Sequence, residues 1–182
     1  MKNAALFLAN GFEEIEALGT VDILRRAEIQ VKTISVTGDL RVIGAHQIPV
    51  IADVLFDEMN FSNIDVLILP GGMPGASNLN AHDGLKKLLA KHVAEGKQVA
   101  AICAAPLVPG GLGLLKGKNA TCYPGFEAQL LGANITGENV TVDGNITTGK
   151  GPGLVFDFAL QLVENMVGKD VRDKVAEGLL LP

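Results

Sequence analysis

The chain has 182 residues and a mass of 19.0 kDa, with 48% apolar and only 4% aromatic residues. Its 15 Lys and Arg against 20 Asp and Glu leave a net charge of −5, and the basic residues are scattered, which argues against nucleic acid as a partner. No apolar run approaches the ~20 residues of a bilayer span, so no membrane association is expected, and two cysteines are too few for a disulfide framework.

The predicted elements alternate between strand and helix. Ala4 to Ala9 is an apolar first strand, too short to be a signal sequence with its cleavage site, and it ends at Asn10-Gly11-Phe12. A helix follows from Glu13 to Ala27, with acids in its first turn and Arg25 and Arg26 in its last, as the helix dipole favours. Val31 to Val36 is the second strand. Val42-Ile43 and Ile48 to Ile51 flank Gly44-Ala45-His46-Gln47 and predict an irregular hairpin on the sheet edge, where Pro49 is tolerated. Asp65 to Pro70 is a third buried strand, followed at once by Gly71-Gly72.

Asp83 to Glu95 has the apolar spacing of an amphipathic helix, with His82 beside its N-cap and His92 on its polar side. Val99 to Ile102 is a fourth buried strand that ends on Cys103, and Ala104-Ala105-Pro106 opens a helix running to Leu115 through the disruptive Pro109-Gly-Gly111. Asn119 to Tyr123 and Val140 to Val142 are short strands, and Asp143-Gly144 turns into Ile146 to Thr148. Leu154 to Val167 places Val155, Phe158, Ala159, Leu162, Val163 and Met166 on one helical face. Asp170 to Glu177 is a last short helix. This order predicts a single α/β domain over residues 1–182. Its architecture is a three-layer αβα sandwich around a doubly wound, mostly parallel sheet, with a small edge hairpin.

In such folds the active crevice lies at the carboxyl ends of the strands. The turn after strand one, Gly71-Gly72 and Cys103 all fall there. A cysteine at a strand-to-helix elbow faces the N–H groups of the helix start, so a lowered thiol pKa is expected. Glu13 and Glu14 are read as a solvated, dipole-complementing first turn. Glu16 fits neither the solvent face nor the core, and pointed into the crevice it would share one proton with Cys103. Gly71 or Gly72 could offer a backbone N–H to the sulfur. Lys150-Gly-Pro-Gly153 lacks the ending of a phosphate loop. His46, in the hairpin, is a loop residue within reach of the site rim or a partner subunit. Cys122 is read as inert, and Tyr123 as a pocket residue.

Four blocks carry a family resemblance: Ala9-Asn-Gly-Phe-Glu-Glu-Ile-Glu-Ala17, Val66-Leu-Ile-Leu-Pro-Gly-Gly72, Ala100-Ala-Ile-Cys-Ala-Ala-Pro106, and Lys150-Gly-Pro-Gly153 with Phe156-Asp-Phe-Ala-Leu160. In order and over nearly the whole chain they resemble the ThiJ/PfpI family, and within it the parkinsonism-associated deglycase branch. The resemblance implies a flavodoxin-like, class I glutamine amidotransferase-like sandwich that is homodimeric; a cytoplasmic location is expected from the lack of a signal or span, and no metal or other cofactor is expected. Cys103 would be a readily oxidised nucleophile and Glu16 its protonated partner, with Gly71, Gly72 and Ala104 as backbone donors. Gly11, Glu13, Tyr123, Lys150, Gly151 and Pro152 would line the pocket, and His46, Ile15, Gly19 and Arg26 the dimer rim. The implied activities are glutathione-independent glyoxalase or deglycase chemistry on a small aldehyde or glycated substrate. A redox-sensing chaperone without catalysis is the alternative, and a cysteine peptidase the second. The peptidase branch carries a His where this chain has Ala104, which removes that activity's base. The deglycase branch often has His at Tyr123, Arg at His46 and Arg at Lys150, and Lys lacks the bidentate fork of Arg.

Overall fold

Six strands run parallel, and the central ones are apolar and buried on both faces, as parallel strands covered by helices must be. The computed structural model describes residues 1–181; Pro182, the last residue of the expected domain, lies outside them. In chain order the elements are β1 (Asn3–Leu8), α1 (Glu14–Arg26), β2 (Gln30–Ser35), β3 (Arg41–Ile43), β4 (Pro49–Ile51), β5 (Val54–Leu55), β6 (Val66–Leu69), α2 (Gly75–Ala81), α3 (Asp83–Ala94) and β7 (Gln98–Ile102). They continue with α4 (Leu107–Gly111), β8 (Asn119–Ala120), β9 (Asn134–Ile135), β10 (Val140–Asp143), β11 (Ile146–Gly149), α5 (Val155–Val167) and α6 (Lys169–Gly178).

The main sheet has the order β10-β11-β7-β6-β1-β2-β5, and only β10 runs antiparallel. Helices α1, α5 and α6 pack together on one face, and α2, α3 and α4 on the other. This is an αβα sandwich. The chain leaves β1 toward β2 on one side and returns to β6 on the other, so the strand order reverses between β6 and β1. At that reversal the carboxyl ends of the strands open a crevice between helices on opposite faces.

The helical stripe of α5 is buried as its spacing predicts, from Val155 through Met166, against an aliphatic core with Phe7, Phe12 and Phe158. Other elements differ from expectation. The hairpin is a ribbon of its own, β3 against β4, and it leans on the turn after β1 rather than pairing with an edge strand: Gly11 N–H donates to Ile43 O (2.7 Å) and Ala45 N–H to Phe12 O (2.8 Å). The elbow helix stops at Gly111 instead of Leu115, because Gly110-Gly111 weaken it and Gly113, at φ +72, turns the chain out of it. The strand expected over Asn119 to Tyr123 is only Asn119–Ala120, paired with β9 outside the main sheet. Helix α2 has no apolar stripe and is absent from the sequence reading. His82 is itself the N-cap of α3, accepting the Leu85 N–H at 3.0 Å.

His92 does not lie on a solvated side of α3. It is 2% exposed, with Nε2 3.4 Å from Asp65 O. Burial pushes its pKa down from the ordinary value of about 6.5, helped by Lys97 and opposed by the Asp65 carbonyl and by the Glu95 and Asp65 charges. A base whose folded pKa is depressed contributes its full stability above the unfolded pKa and loses it as pH falls toward the folded value. Urea unfolding at about pH 7.5 and about pH 5.5 is therefore expected to show a smaller acid loss for His92→Leu than for wild type; equal losses would refute the assignment.

Candidate active site

The crevice is built where two turns meet backbone to backbone. A Cβ on Gly72 would lie 2.4 Å from Glu13 N and 2.6 Å from Gly11 O, and one on Gly75 would lie 2.6 Å from Gly11 O. Only glycine permits that approach. Gly75 N–H donates to Gly11 O (3.1 Å), Glu13 N–H to Gly71 O (2.9 Å), and Asn78 Nδ2 to Asn10 O (2.8 Å). The first turn of α1 is thereby fixed against the end of β6.

Cys103 follows β7 with φ +64, a left-handed conformation that costs a residue bearing a Cβ. Its backbone is tied at both ends, with its N–H to Gly149 O (2.9 Å) and its carbonyl accepting the Tyr123 N–H (2.8 Å). The side chain is 8% exposed, so it touches the crevice. The N–H groups of Gly72 and Ala104 and the Glu16 carboxyl lie close enough to its sulfur to act on its protonation.

Glu16 is 1% exposed. Its Oε2 accepts the Gly71 N–H at 2.7 Å, and its Oε1 is buried without a nitrogen or oxygen partner. Burial pushes its pKa up to about 7, with the Glu13 charge adding to the rise and the Cys103 and Gly71 contacts opposing it. The expected fall of the thiol pKa does not occur. Burial first, and then the Glu16 charge and hydrogen bond, push Cys103 up to about 12, outweighing the Gly72 and Ala104 N–H groups. The buried pair thus gives up one proton near neutrality and keeps the other. Gly71 spends its N–H on Glu16, which leaves Gly72 and Ala104 as the donors to sulfur. A Cβ on Gly71 would lie 2.7 Å from Cys103 Cβ and 2.8 Å from Glu16 Oε2.

The remaining expected residues divide. Glu13 and Glu14 are buried rather than solvated, because the ribbon folds over them. Glu13 Oε2 caps α1 by accepting the Glu16 N–H at 2.8 Å. Glu14 accepts the His46 N–H (2.7 Å) on one oxygen and faces His46 Nδ1 (2.8 Å) with the other. A Cβ on Gly44 would collide with that carboxylate, a signal the hairpin glycine carried and the sequence reading passed over. Tyr123, 46% exposed, lies against Gly151, where a Cβ would come 3.3 Å from its ring. Pro152 is half-buried in the turn before α5. Lys150 Nζ donates to Gly137 O (2.8 Å) and so holds a neighbouring loop. Cys122 is buried in a separate apolar cluster. On α1, Ile15 is 58% exposed and Arg26 pairs with Asp22 (2.8 Å). Gly19 is half-buried, and a Cβ there would lie 3.2 Å from Val155 of α5. Among the described residues no helix is long and apolar enough to cross a membrane.

The family model described as DJ-1/PfpI family matches residues 2–165. The chain belongs to the DJ-1/PfpI family. The C103A mutant of a DJ-1 superfamily protein from Salmonella typhimurium superposes with a TM-score of 0.96, at 38% identity and over 100% of both chains. Protein DJ-1 homolog B of Arabidopsis thaliana is 38% identical over 99% of this chain, which spans only 42% of the plant protein's length. A Caenorhabditis elegans protein named glutathione-independent glyoxalase DJR-1.2 is 32% identical over 93% of this chain and 90% of its own.

Because Gly71 leaves no room between Cys103 and Glu16, Gly71→Ala is expected to cost about 1–3 kcal/mol in urea unfolding and to change the alkylation rate of Cys103. A variant with wild-type stability and wild-type alkylation would refute the packing argument.

Proposed function

We propose that this chain converts α-oxoaldehydes such as methylglyoxal into hydroxy acids without glutathione, with Cys103 as nucleophile and Glu16 as proton carrier. The observation that carries this reading is the contact between an elbow thiol and a buried carboxyl group poised near neutrality. A base works best when its pKa lies close to the operating pH, and Glu16 is pushed up to about 7. The glyoxalase activity for which the Caenorhabditis elegans relative is named supports the substrate class.

Glu16 takes the thiol proton as Cys103 Sγ bonds to the aldehyde carbon, and returns it to the carbonyl oxygen to give a hemithioacetal. The N–H groups of Gly72 and Ala104 stabilise the developing thiolate. Glu16 then moves the proton of that carbon to the adjacent ketone carbon, and the hydroxyl proton of the hemithioacetal passes to the ketone oxygen, which becomes a hydroxyl. The thiohemiacetal carbon is left as a thioester. Water hydrolyses the thioester, releasing the hydroxy acid and restoring the thiol. The sum is aldehyde plus water to hydroxy acid, with oxidation and reduction balanced within the substrate. Tyr123 at the mouth offers a hydroxyl to the substrate oxygen in place of a base.

Glu16→Gln and Cys103→Ala are each expected to lower lactate formation from methylglyoxal by roughly a hundredfold or more. The loss is not expected to reflect unfolding. A carboxyl whose folded pKa is raised destabilises the fold once it ionises, so Glu16→Gln should unfold at higher urea than wild type at about pH 8. Wild type no faster than Cys103→Ala would overturn the assignment.

We further propose a homodimer formed through the outer face of α1 and the ribbon, where Ile15, Leu18, Ile48 and Ile51 are exposed apolar side chains. Light scattering is expected to give twice the chain mass at micromolar concentration and a monomer for Ile15→Lys. A monomeric wild type would refute it.

A further inference from the structure

The first turn of α1 gathers three buried carboxyl groups. Glu13, Glu14 and Glu16 are 8%, 5% and 1% exposed. Among the described residues the only basic side chain paired with any of them is His46. Buried carboxylates need a cation or hydrogen-bond donors to offset the lost hydration. Glu16 shares a proton with Cys103 and Glu14 is held by the His46 ring and backbone N–H groups, whereas Glu13 Oε1 has only the His46 ring, 3.9 Å away, beside it.

Each of these two carboxylates uses one oxygen on a backbone donor and presents the other to the same point. Glu13 Oε2 accepts the Glu16 N–H at 2.8 Å, which leaves Oε1 without a hydrogen bond and 3.9 Å from His46 Nδ1. Glu14 Oε1 accepts the His46 N–H at 2.7 Å, which leaves Oε2 at 2.8 Å from the same ring nitrogen. One oxygen from each acid and one imidazole nitrogen lie within 4.8 Å of one another. Zinc bonds to nitrogen and carboxylate oxygen are about 2.0–2.2 Å long, so its ligands stand about 3.4 Å apart in a tetrahedron. The two observed separations from Nδ1 bracket that spacing. The His46 side chain, 69% exposed, is the member free to adjust. The backbone bonds to Oε2 of Glu13 and Oε1 of Glu14 are the outer contacts that orient ligating carboxylates in metal sites.

We propose that Glu13 Oε1, Glu14 Oε2 and His46 Nδ1 form an open, three-ligand site for a divalent transition-metal ion of the zinc type, at the rim of the Cys103 crevice. One imidazole with two carboxylates suits such borderline ions, and three protein ligands leave a coordination position for water or a small anion. Glu14 and His46 are far apart in the chain and meet only through the docked ribbon, so this grouping is not among the sites expected from the sequence. The site is independent of the proposed aldehyde chemistry.

The test uses the Cys103→Ala chain, which removes the competing thiol. Calorimetric titration with Zn²⁺ near pH 7.5 is expected to show one ion per chain, weakened about tenfold or more when His46→Gln is added. Electron paramagnetic resonance with Cu²⁺ as probe is expected to show coupling to a single imidazole nitrogen, lost in the same variant. His46 is exposed, so its replacement should leave the circular dichroism spectrum unchanged. No Zn²⁺ uptake, or uptake and nitrogen coupling that survive His46→Gln, would overturn the proposal. Because the titrated chain lacks the nucleophile, neither outcome bears on the glyoxalase reading.

Discussion

A carboxyl group buried with no cation beside it is the constraint on which the rest of this molecule turns. Glu16 has one oxygen on the Gly71 N–H and the other without a nitrogen or oxygen partner. Raising a carboxyl pKa from the ordinary 4.5 to about 7 corresponds to about 3 kcal/mol of disfavour for the ionised form. That is a large fraction of the net stability of a domain of this size. A fold keeps such a group only if its neighbours leave the side chain nowhere else to go. Here Gly71 does so, because any side chain at that position would strike both Cys103 and Glu16. The thiol, the acid and the glycine form one packed unit.

That unit holds its geometry because three strand ends are tied to one another through backbone. The turns after β1 and β6 interlock at Gly11, Gly72 and Gly75, and Cys103 is pinned between Gly149 O and the Tyr123 N–H. Gly149 is required in turn, since a Cβ there would lie 2.8 Å from Phe158 and 2.9 Å from Ile102. The left-handed elbow is therefore over-determined by its surroundings, the condition under which backbone strain persists at a functional site. None of these contacts uses a polar side chain. The reacting groups can differ in polarity without disturbing the frame that places them.

The parts legible in the sequence are those where a local pattern reports a local cause. Buried parallel strands read as apolar runs, and α5 reads as a stripe, because each pattern is set by the surface it packs on. The convergence of the turn after strand one, Gly71-Gly72 and Cys103 also follows from strand ends alone. What could not be read arises from distant chain. Glu13 and Glu14 look like solvated dipole partners until the ribbon, some thirty residues on, covers them. His92 looks polar by its neighbours on α3, yet the end of β6 closes over it. The thiol misleads most. A helix start argues for a low pKa, but burial and the Glu16 charge are stronger terms, and neither belongs to the elbow's own sequence. Helix α2 has no periodic stripe to find, because glycine and alanine make its closest contacts.

One helical turn carries three carboxylates, and their surroundings separate their duties. Burial alone would raise Glu14, but its hydrogen bonds to the His46 ring and to backbone N–H groups outweigh it and hold its pKa below the carboxylate range. It is therefore an anion at neutral pH, and serves to fasten the ribbon. Glu16, two residues on, has a single backbone donor and a thiol, and its pKa moves the other way. Pushing apart the pKa values of neighbouring acids is how a site obtains a fixed charge and a proton carrier from one residue type. The base therefore need not be histidine. The chain's histidines cap a helix, fill a space beneath the sheet and fasten a loop, while the proton beside the nucleophile rests with a carboxyl group that burial has brought to neutrality.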